Sequence, residues 1–445
     1  MPRFPDSFLF GTATSSYQIE GAVAVDGRGE SIWDRFAHSQ GKVANGETGD
    51  VAADHYHRFR DDVELLEQAE LDAYRFSISW PRIQPNGSGV ANSAGLDFYD
   101  RLVDELLAAG VEPWACLFHW DLPQALQDRG GWANRDTVGR FIDYAVVMVE
   151  ALGDRLQHCL ILNEPSIFAL LGHLVGHHAP GVRDLDQCIA VSHHLNLATG
   201  LTAQALRSIS SELQIGNALA LNWIDSLTDS AVDRDAAARR CAFMNHAYLE
   251  PFFKGTYPEL VRDMFQDYVL DGDLENCRGQ LDFIGVNYYT RLRVEARRGT
   301  RLLDSSMASV DRRARKTEMG WEIYPRGLLQ QLLDLDDRYE HPTLYITENG
   351  AAVADEPDDD GKVADLERIR FLESHLEVCL EAIEQGVDLR GFFAWSLIDN
   401  FEWAEGYGKR FGLVRVDFET QERIPKDSYS WFQRVARSGE LREAR

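Results

Sequence analysis

His158-Cys159-Leu160-Ile161-Leu162-Asn163-Glu164-Pro165 is a short apolar run that stops abruptly on an amide, a carboxylate and a proline. It has no apolar–polar alternation, so a strand formed here is covered on both faces, as in a parallel sheet. Leu344-Tyr345-Ile346-Thr347-Glu348-Asn349-Gly350 repeats the design. Working outward, runs of this kind recur along the chain and predict strands over 8–12, 73–79, 112–118, 159–163, 214–220, 282–288, 344–347 and 391–396. Amphipathic stretches lie between them, and helices are expected over 60–69, 97–109, 137–152 and 364–385. In the second of these, Leu102, Leu106 and Leu107 share a helical face ahead of the stop signal Gly110. About eight strand-then-helix units predict an α/β fold, a (β/α)8 TIM barrel. An open doubly wound sheet would instead carry a glycine-rich phosphate loop after an early strand, and neither G-x-G-x-x-G nor G-x-x-x-x-G-K-[ST] occurs. No linker, repeat or low-complexity tract interrupts the pattern, so residues 1–445 read as one catalytic domain.

In such a barrel the residues at the carboxyl ends of the strands face the functional mouth. Those positions carry Gln18 and Glu20 after the first strand, Arg75 on the second, and His119-Trp120-Asp121 at the third. Asn163-Glu164, Asn222-Trp223, Asn287-Tyr288-Tyr289 and Glu348-Asn349 follow, then Trp395, with Glu402-Trp403 in the loop beyond. The types suit one ligand chemistry. A pyranose offers hydroxyls around its rim, which amides, imidazoles and carboxylates hydrogen-bond, and C–H faces on which indoles stack. Two carboxylates at two strand ends are what cleavage of a glycosidic bond needs, one passing a proton to the leaving oxygen and one attacking or assisting attack at the anomeric carbon. A guanidinium such as Arg75 beside a carboxylate favours its charged form, and Tyr289 can hydrogen-bond the same group.

Composition narrows the class further. A formal net charge of −27 argues against nucleic acid and against an anionic membrane surface as partners. No apolar run approaches the roughly 18 residues of a membrane-spanning helix, and the first residues lack a signal-peptide pattern. Six irregularly spaced cysteines, none in C-x-x-C, read as small buried side chains in a reducing compartment, so a cytoplasmic location is expected. His55-Tyr56-His57, His177-His178 and His193-His194 lack the i,i+4 spacing of a helical zinc site, so no metal is expected. The arginine-rich segment 291–316 reads as a solvated loop at the mouth, and the acidic segment 355–361 as a surface turn that breaks EF-hand spacing.

Longer stretches then match a known family. They are Phe8-Leu9-Phe10-Gly11-Thr12-Ala13-Thr14-Ser15-Ser16-Tyr17-Gln18-Ile19-Glu20-Gly21, Tyr74-Arg75-Phe76-Ser77-Ile78-Ser79-Trp80-Pro81-Arg82, His119-Trp120-Asp121-Leu122-Pro123, Asn163-Glu164-Pro165, Thr347-Glu348-Asn349-Gly350 and Asn400-Phe401-Glu402-Trp403. Over nearly its whole length the chain resembles the glycoside hydrolase family 1 β-glucosidases. The resemblance implies a retaining mechanism without a cofactor, with Glu164 as general acid/base, Glu348 as nucleophile, and carboxyl groups about 5 Å apart. It implies Gln18, His119, Asn163, Glu402 and Trp403 as ligands of the glycone hydroxyls. Trp120 and Trp395 would wall that subsite, Arg75 and Tyr289 would support the nucleophile, and Asn287 and Trp321 would line the sugar site and its exit. The expected partner is a small β-glucoside, with β-fucosides and β-galactosides tolerated. A homo-oligomer is compatible with the resemblance, but no interface can be read from the chain. A branch acting on 6-phosphorylated sugars uses Ser, Lys and Tyr where this chain has Glu402 and Trp403. A non-catalytic sugar-binding relative would lack one of the two glutamates. One departure from the pattern is Ser166, where many members carry Trp bordering the aglycone.

Overall fold

The computed structural model describes residues 3–441. Eight parallel strands close into a barrel: β1 (Leu9–Ala13), β2 (Ala73–Ser77), β3 (Glu112–Phe118), β4 (His158–Asn163), β5 (Gln214–Ala220), β6 (Phe283–Asn287), β7 (Leu344–Asn349) and β8 (Leu389–Trp395). Each strand neighbours the next in chain order, and β8 closes the ring by pairing with β1, Gly11 opposite Phe393. Helices wrap the outside, among them His55–Gln68, Ser93–Ala108, Asp136–Leu152, Leu185–Ile209, Pro325–Arg338 and Leu366–Glu384. The expected strands and helices thus form close to their expected bounds.

Two apolar layers hold the ring. Leu and Ile side chains on one face of the strands meet the helices, while the other face fills the barrel interior with Trp114, Cys116, Leu160, Phe283, Tyr345 and Phe393. Trp114 stacks on His158 with centroids 3.9 Å apart and meets Phe393 and Tyr345 edge-on or tilted at 4.9 Å. Glycine makes room for these rings. A Cβ at Gly11 would lie 2.7 Å from the Phe393 ring, and one at Gly216 2.4 Å from Phe283. The plug closes the amino-terminal end of the barrel and leaves the carboxyl end open for chemistry.

Segment 291–316 corrects the expectation of a solvated loop. Arg291–Ala296 pairs in parallel with Trp223–Ser226 and antiparallel with Ser305–Met307, giving a three-stranded sheet beside the barrel mouth. The arginines masked a period-2 pattern. Val294 is buried against Ala236 and Ala237, while Arg291 pairs with Asp225 and Glu322 at 3.0 and 2.8 Å.

Segment 355–361 is likewise only partly a turn. Asp355 is buried and accepts from Lys426 Nζ and Arg368 Nη2, both at 2.7 Å. Lys426 also donates to Asp399 at 2.9 Å, and Arg368 pairs with Asp365. This cluster ties the loop after β7 to the loop after β8 and to the last helix, Asp427–Ser438. Removing one partner strands buried charges, so Lys426→Ala should cost about 3–5 kcal/mol. The exposed pair Lys362–Asp427 is worth no more than about 1 kcal/mol. A denaturation comparison of Lys426→Ala with Lys362→Ala checks this, and equal losses would contradict it.

Candidate active site

A cavity of about 430 Å³ opens at the carboxyl ends of the strands. His119, Trp120, Glu164, Asn287, Tyr289, Trp321, Glu348, Trp395, Glu402 and Trp403 line it. Arg75, Asn163 and Gln18 are fully buried and stand behind that lining.

The two central glutamates are presented by irregular strands. In β4, Leu160 lies opposite Gly216 but Asn163 opposite Ala218, so one extra residue is inserted just before Glu164. In β7, Ile346 lies opposite Val286 but Glu348 opposite Asn287, again with one residue extra. Such bulges break the strict alternation of a strand and re-aim the side chain that follows. Glu164 itself has φ 44°, and Trp120 and Trp403 have φ of 77° and 48°. Left-handed backbone at three non-glycine lining residues is local strain that the surrounding packing sustains.

Arg75 organises the floor. Its Nη1 donates to Glu348 Oε1 at 2.5 Å and its Nη2 to Asn163 Oδ1 at 2.6 Å. The Tyr289 hydroxyl donates to the other Glu348 oxygen at 2.6 Å. Glu164 receives a weaker set. Asn287 Nδ2 donates to Glu164 Oε1 and to Asn163 Oδ1, both at 3.0 Å, while Thr347 Oγ1 donates to Asn287 Oδ1 at 2.7 Å. Burial, then the negative charge of Glu348, push the Glu164 carboxyl up to about 8, against smaller lowering effects of Asn287 and Arg75.

The donors also fix a tautomer. Asn163 Oδ1 faces Arg75 and Asn287, so its amide nitrogen faces His119 Nε2, 2.8 Å away. That ring nitrogen must accept, which leaves the proton on Nδ1. Burial and the Arg75 charge hold the imidazole well below its usual range, so it stays neutral. Its Nδ1 is buried without a partner among the described residues. Across the cavity, burial and then the charges of Glu348, Glu164 and Glu405 push Glu402 up to about 8. Gln18 backs it, donating to Asn400 at 2.9 Å, to the Phe401 carbonyl at 3.0 Å and to Glu402 at 3.4 Å. Trp403 packs against Trp120 at 4.7 Å and Trp33 at 4.6 Å, and His119 lies 5.9 Å from Trp395.

Some residues at expected site positions go elsewhere. Glu20 accepts from Arg82 and Tyr99 and serves the packing outside the cavity. Asp121 accepts from Ser16, and the Asn349 amide donates to the Tyr288 carbonyl. Ser166 is buried on the helix Pro165–Ala169, and the cavity lining from that segment is Ile167, Leu170 and Leu171 instead. His55 and His193 pair with Asp62 and Asp273. His178 lines the cavity and lies against Trp33 and Trp120 at 5.4 and 5.5 Å. Among the described residues no group of three His, Cys, Asp or Glu side chains is arranged to hold a metal ion. Sequence reasoning missed the apolar lining from Met244, Leu292, Met307, Met319 and Phe411, which no spacing rule connects.

A parallel barrel whose mouth sets two carboxylates among indoles, amides and a neutral imidazole defines a glycoside hydrolase. The sequence model of Glycosyl hydrolase family 1 matches residues 1–441, and the chain belongs to that family, whose members retain anomeric configuration. It is similar to 1,4-beta-D-glucan glucohydrolase of Thermotoga neapolitana, 44% identical over 99% of this chain and 100% of the relative. A bifunctional beta-D-glucosidase/beta-D-fucosidase of Bifidobacterium breve is 44% identical, with 97% of each chain covered. Among solved structures, the family 1 β-glucosidase from Thermotoga maritima superposes with a TM-score of 0.96 at 43% identity, covering 99% of both chains.

The raised carboxyl has a measurable cost. Its folded-state value of about 8 lies above the ordinary 4.5, so the stability it contributes is fully present below about pH 4.5 and is lost as pH rises through about 8. Glu164→Gln removes that dependence. The stability of the variant relative to the native protein should grow by an amount on the order of a few kcal/mol from about pH 5 to about pH 9. Thermal unfolding at both pH values checks it, and a pH-independent difference would contradict it.

Proposed function

We propose that this retaining β-glucosidase uses Glu348 as its nucleophile and Glu164 as its general acid/base, releasing terminal non-reducing β-D-glucosyl residues from aryl and alkyl glucosides, cellobiose and short cello-oligosaccharides. The observation that carries the reading is the unequal treatment of the two carboxylates. Arg75 and Tyr289 hold both oxygens of Glu348, as an attacking anion requires. Glu164 has Asn287 on one oxygen and keeps its proton because it is buried and sits beside that anion.

Glu348 attacks the anomeric carbon while Glu164 protonates the departing oxygen, and a glycosyl ester forms. Esterification cancels the charge on Glu348, so Glu164 becomes acidic at the moment its proton has left. As a carboxylate it then takes a proton from water, which attacks the anomeric carbon, breaks its bond to the Glu348 oxygen and releases glucose with its β configuration kept. Glu402 and His119 hydrogen-bond the glycone hydroxyls, and Trp120, Trp395 and Trp403 enclose the ring. The likeness to the Bifidobacterium breve enzyme supports β-fucosides as side substrates.

A 6-phosphorylated sugar is disfavoured. Glu164, Glu348 and Glu402 line the cavity, and the described lining contains no lysine or arginine to meet a phosphate. A non-catalytic role is disfavoured because both carboxylates are present in distinct, functional environments. The six free cysteines, five of them buried, support a reducing cytoplasm as the working compartment.

With azide and an activated aryl glucoside, Glu348→Gly should give the α-glucosyl azide and Glu164→Ala the β-glucosyl azide. Swapped products would reverse the assignment. Losing the acid should slow substrates with poor leaving groups by about a hundred- to ten-thousand-fold and activated ones far less. For the native enzyme, kcat/KM should fall as pH rises through about 8, where Glu164 loses its proton. A profile flat to well above that value would exclude Glu164 as the acid.

A further inference from the structure

Glu164 and Glu348 take their hydrogen bonds from different residues, and Thr347 touches both sets. It is the inserted residue of β7, since Ile346 lies opposite Val286 and Glu348 opposite Asn287, with Thr347 between them. An insertion of this kind suspends the alternation of a strand. Two consecutive residues can then serve the same floor. The Glu348 carboxylate meets Arg75 and Tyr289. The Thr347 carbonyl accepts from Arg75 Nη1 at 3.3 Å, and its hydroxyl donates to Asn287 Oδ1 at 2.7 Å. The neighbouring strand β6 leaves room for this side chain, because a Cβ at Gly285 would lie 2.6 Å from both Thr347 Oγ1 and Cγ2. Thr347 is fully buried and β-branched, so its hydroxyl has little freedom to turn away.

The contact matters through what Asn287 does next. Its Nδ2 donates to Glu164 Oε1 and to Asn163 Oδ1, both at 3.0 Å. Asn287 is itself buried, and the Thr347 hydroxyl is the donor its own carbonyl receives. Without that hydroxyl a buried acceptor would stand unpaired, at a cost. The amide would then loosen, or turn its oxygen toward Glu164 and accept the carboxyl proton. Both changes act in one direction. A donor lost from Glu164 withdraws support from the anion, and an acceptor gained supports the protonated form. The Asn287 hydrogen bond opposes the upward push that burial and Glu348 exert on this carboxyl. The other titratable and charged groups around Glu164 are Glu348, Arg75, Tyr289 and Glu402, with His119 and His178 in the same lining. A change confined to the Thr347 side chain replaces none of them.

We propose that Thr347 is a positioning residue for the acid/base: its hydroxyl holds the Asn287 amide with the nitrogen toward Glu164, and so sets how readily Glu164 gives up its proton. It acts from behind the cavity, whose lining does not include it. The inference rests on the reading of Glu164 as general acid/base and names the residue that tunes it.

The pH profile of kcat/KM on phenyl β-D-glucoside, whose leaving group needs the acid, tests it, because this profile reports groups of the free enzyme. Thr347→Val keeps the shape of the side chain and removes the hydroxyl. Its basic limb should move upward by about half a unit to one unit, the worth of one hydrogen bond. Thr347→Ala should move the limb the same way. Thr347→Ser, which restores the hydroxyl, should return it to the native position, a pattern that general loosening of the strand would not produce. In an Asn287→Ala background, Thr347→Val should add no further shift. A limb within about 0.2 units of the native one in the Val and Ala variants overturns the proposal. So does a Ser variant shifted as far as they are, or a full additional shift without Asn287. The two readings fail separately. A native limb near 8 that the hydroxyl-free variants leave in place loses the positioning assignment alone, whereas a native profile without that limb loses the Glu164 reading beneath.

Discussion

Arg75 holds a full positive charge where water is excluded, with one amino group on Glu348 and the other on Asn163. Taking a guanidinium out of water costs several kcal/mol, which a close anion and hydrogen bonds from both amino groups offset here, while Nε has no partner among the described residues. That demand propagates. It draws Glu348 to one side of the floor and turns the Asn163 carbonyl toward the cation. The Asn163 amide then points at His119 and decides which ring nitrogen carries the proton. Asn287, oriented by Thr347, bridges Asn163 to Glu164. One buried cation thus sets the run of hydrogen bonds from Glu348 through Asn163 to the His119 imidazole.

The same arrangement explains why strain gathers at the mouth. Burial first, and then the mutual repulsion of the carboxylates lining the cavity, leave Glu164 and Glu402 holding their protons well above the usual carboxylate range. The inserted residues in β4 and β7 and the left-handed backbone at Trp120, Glu164 and Trp403 lie in the same region. A sequence chosen for stability alone would avoid all of these. The double apolar layer and the buried Asp355–Lys426–Asp399 cluster lie elsewhere in the fold and sustain them.

The barrel was legible because parallel strands buried on both faces leave unbroken apolar runs, and the polar residue after each run marks the open end. Glu164 and Glu348 stood out for that reason. The bulges were not legible, because register is a property of two strands and no single run records it. Arg291–Ala296 hid a strand under alternating arginines, of which Arg291 pairs with Asp225 and Glu322 and Arg293 donates to the Leu227 carbonyl. Asp355 looked like one acid among several, and only its contact with Lys426 and Arg368 singles it out. Glu20 shares a motif with Gln18 yet packs against Arg82, since neighbours in a loop point in different directions. The methionines that line the cleft come from separate segments, and only folding brings them together.

Tyr289 and Leu292 sit a few residues apart in the stretch that leaves β6 for the small sheet. The first donates a hydrogen bond to Glu348, and the second lines the same cavity. Glu164 has the same kind of neighbour, since Ile167, Leu170 and Leu171 line the cavity from the segment that follows it. A backbone shift in the apolar lining is therefore carried within a few residues to one of the two central carboxylates, directly at Glu164 and through Tyr289 at Glu348.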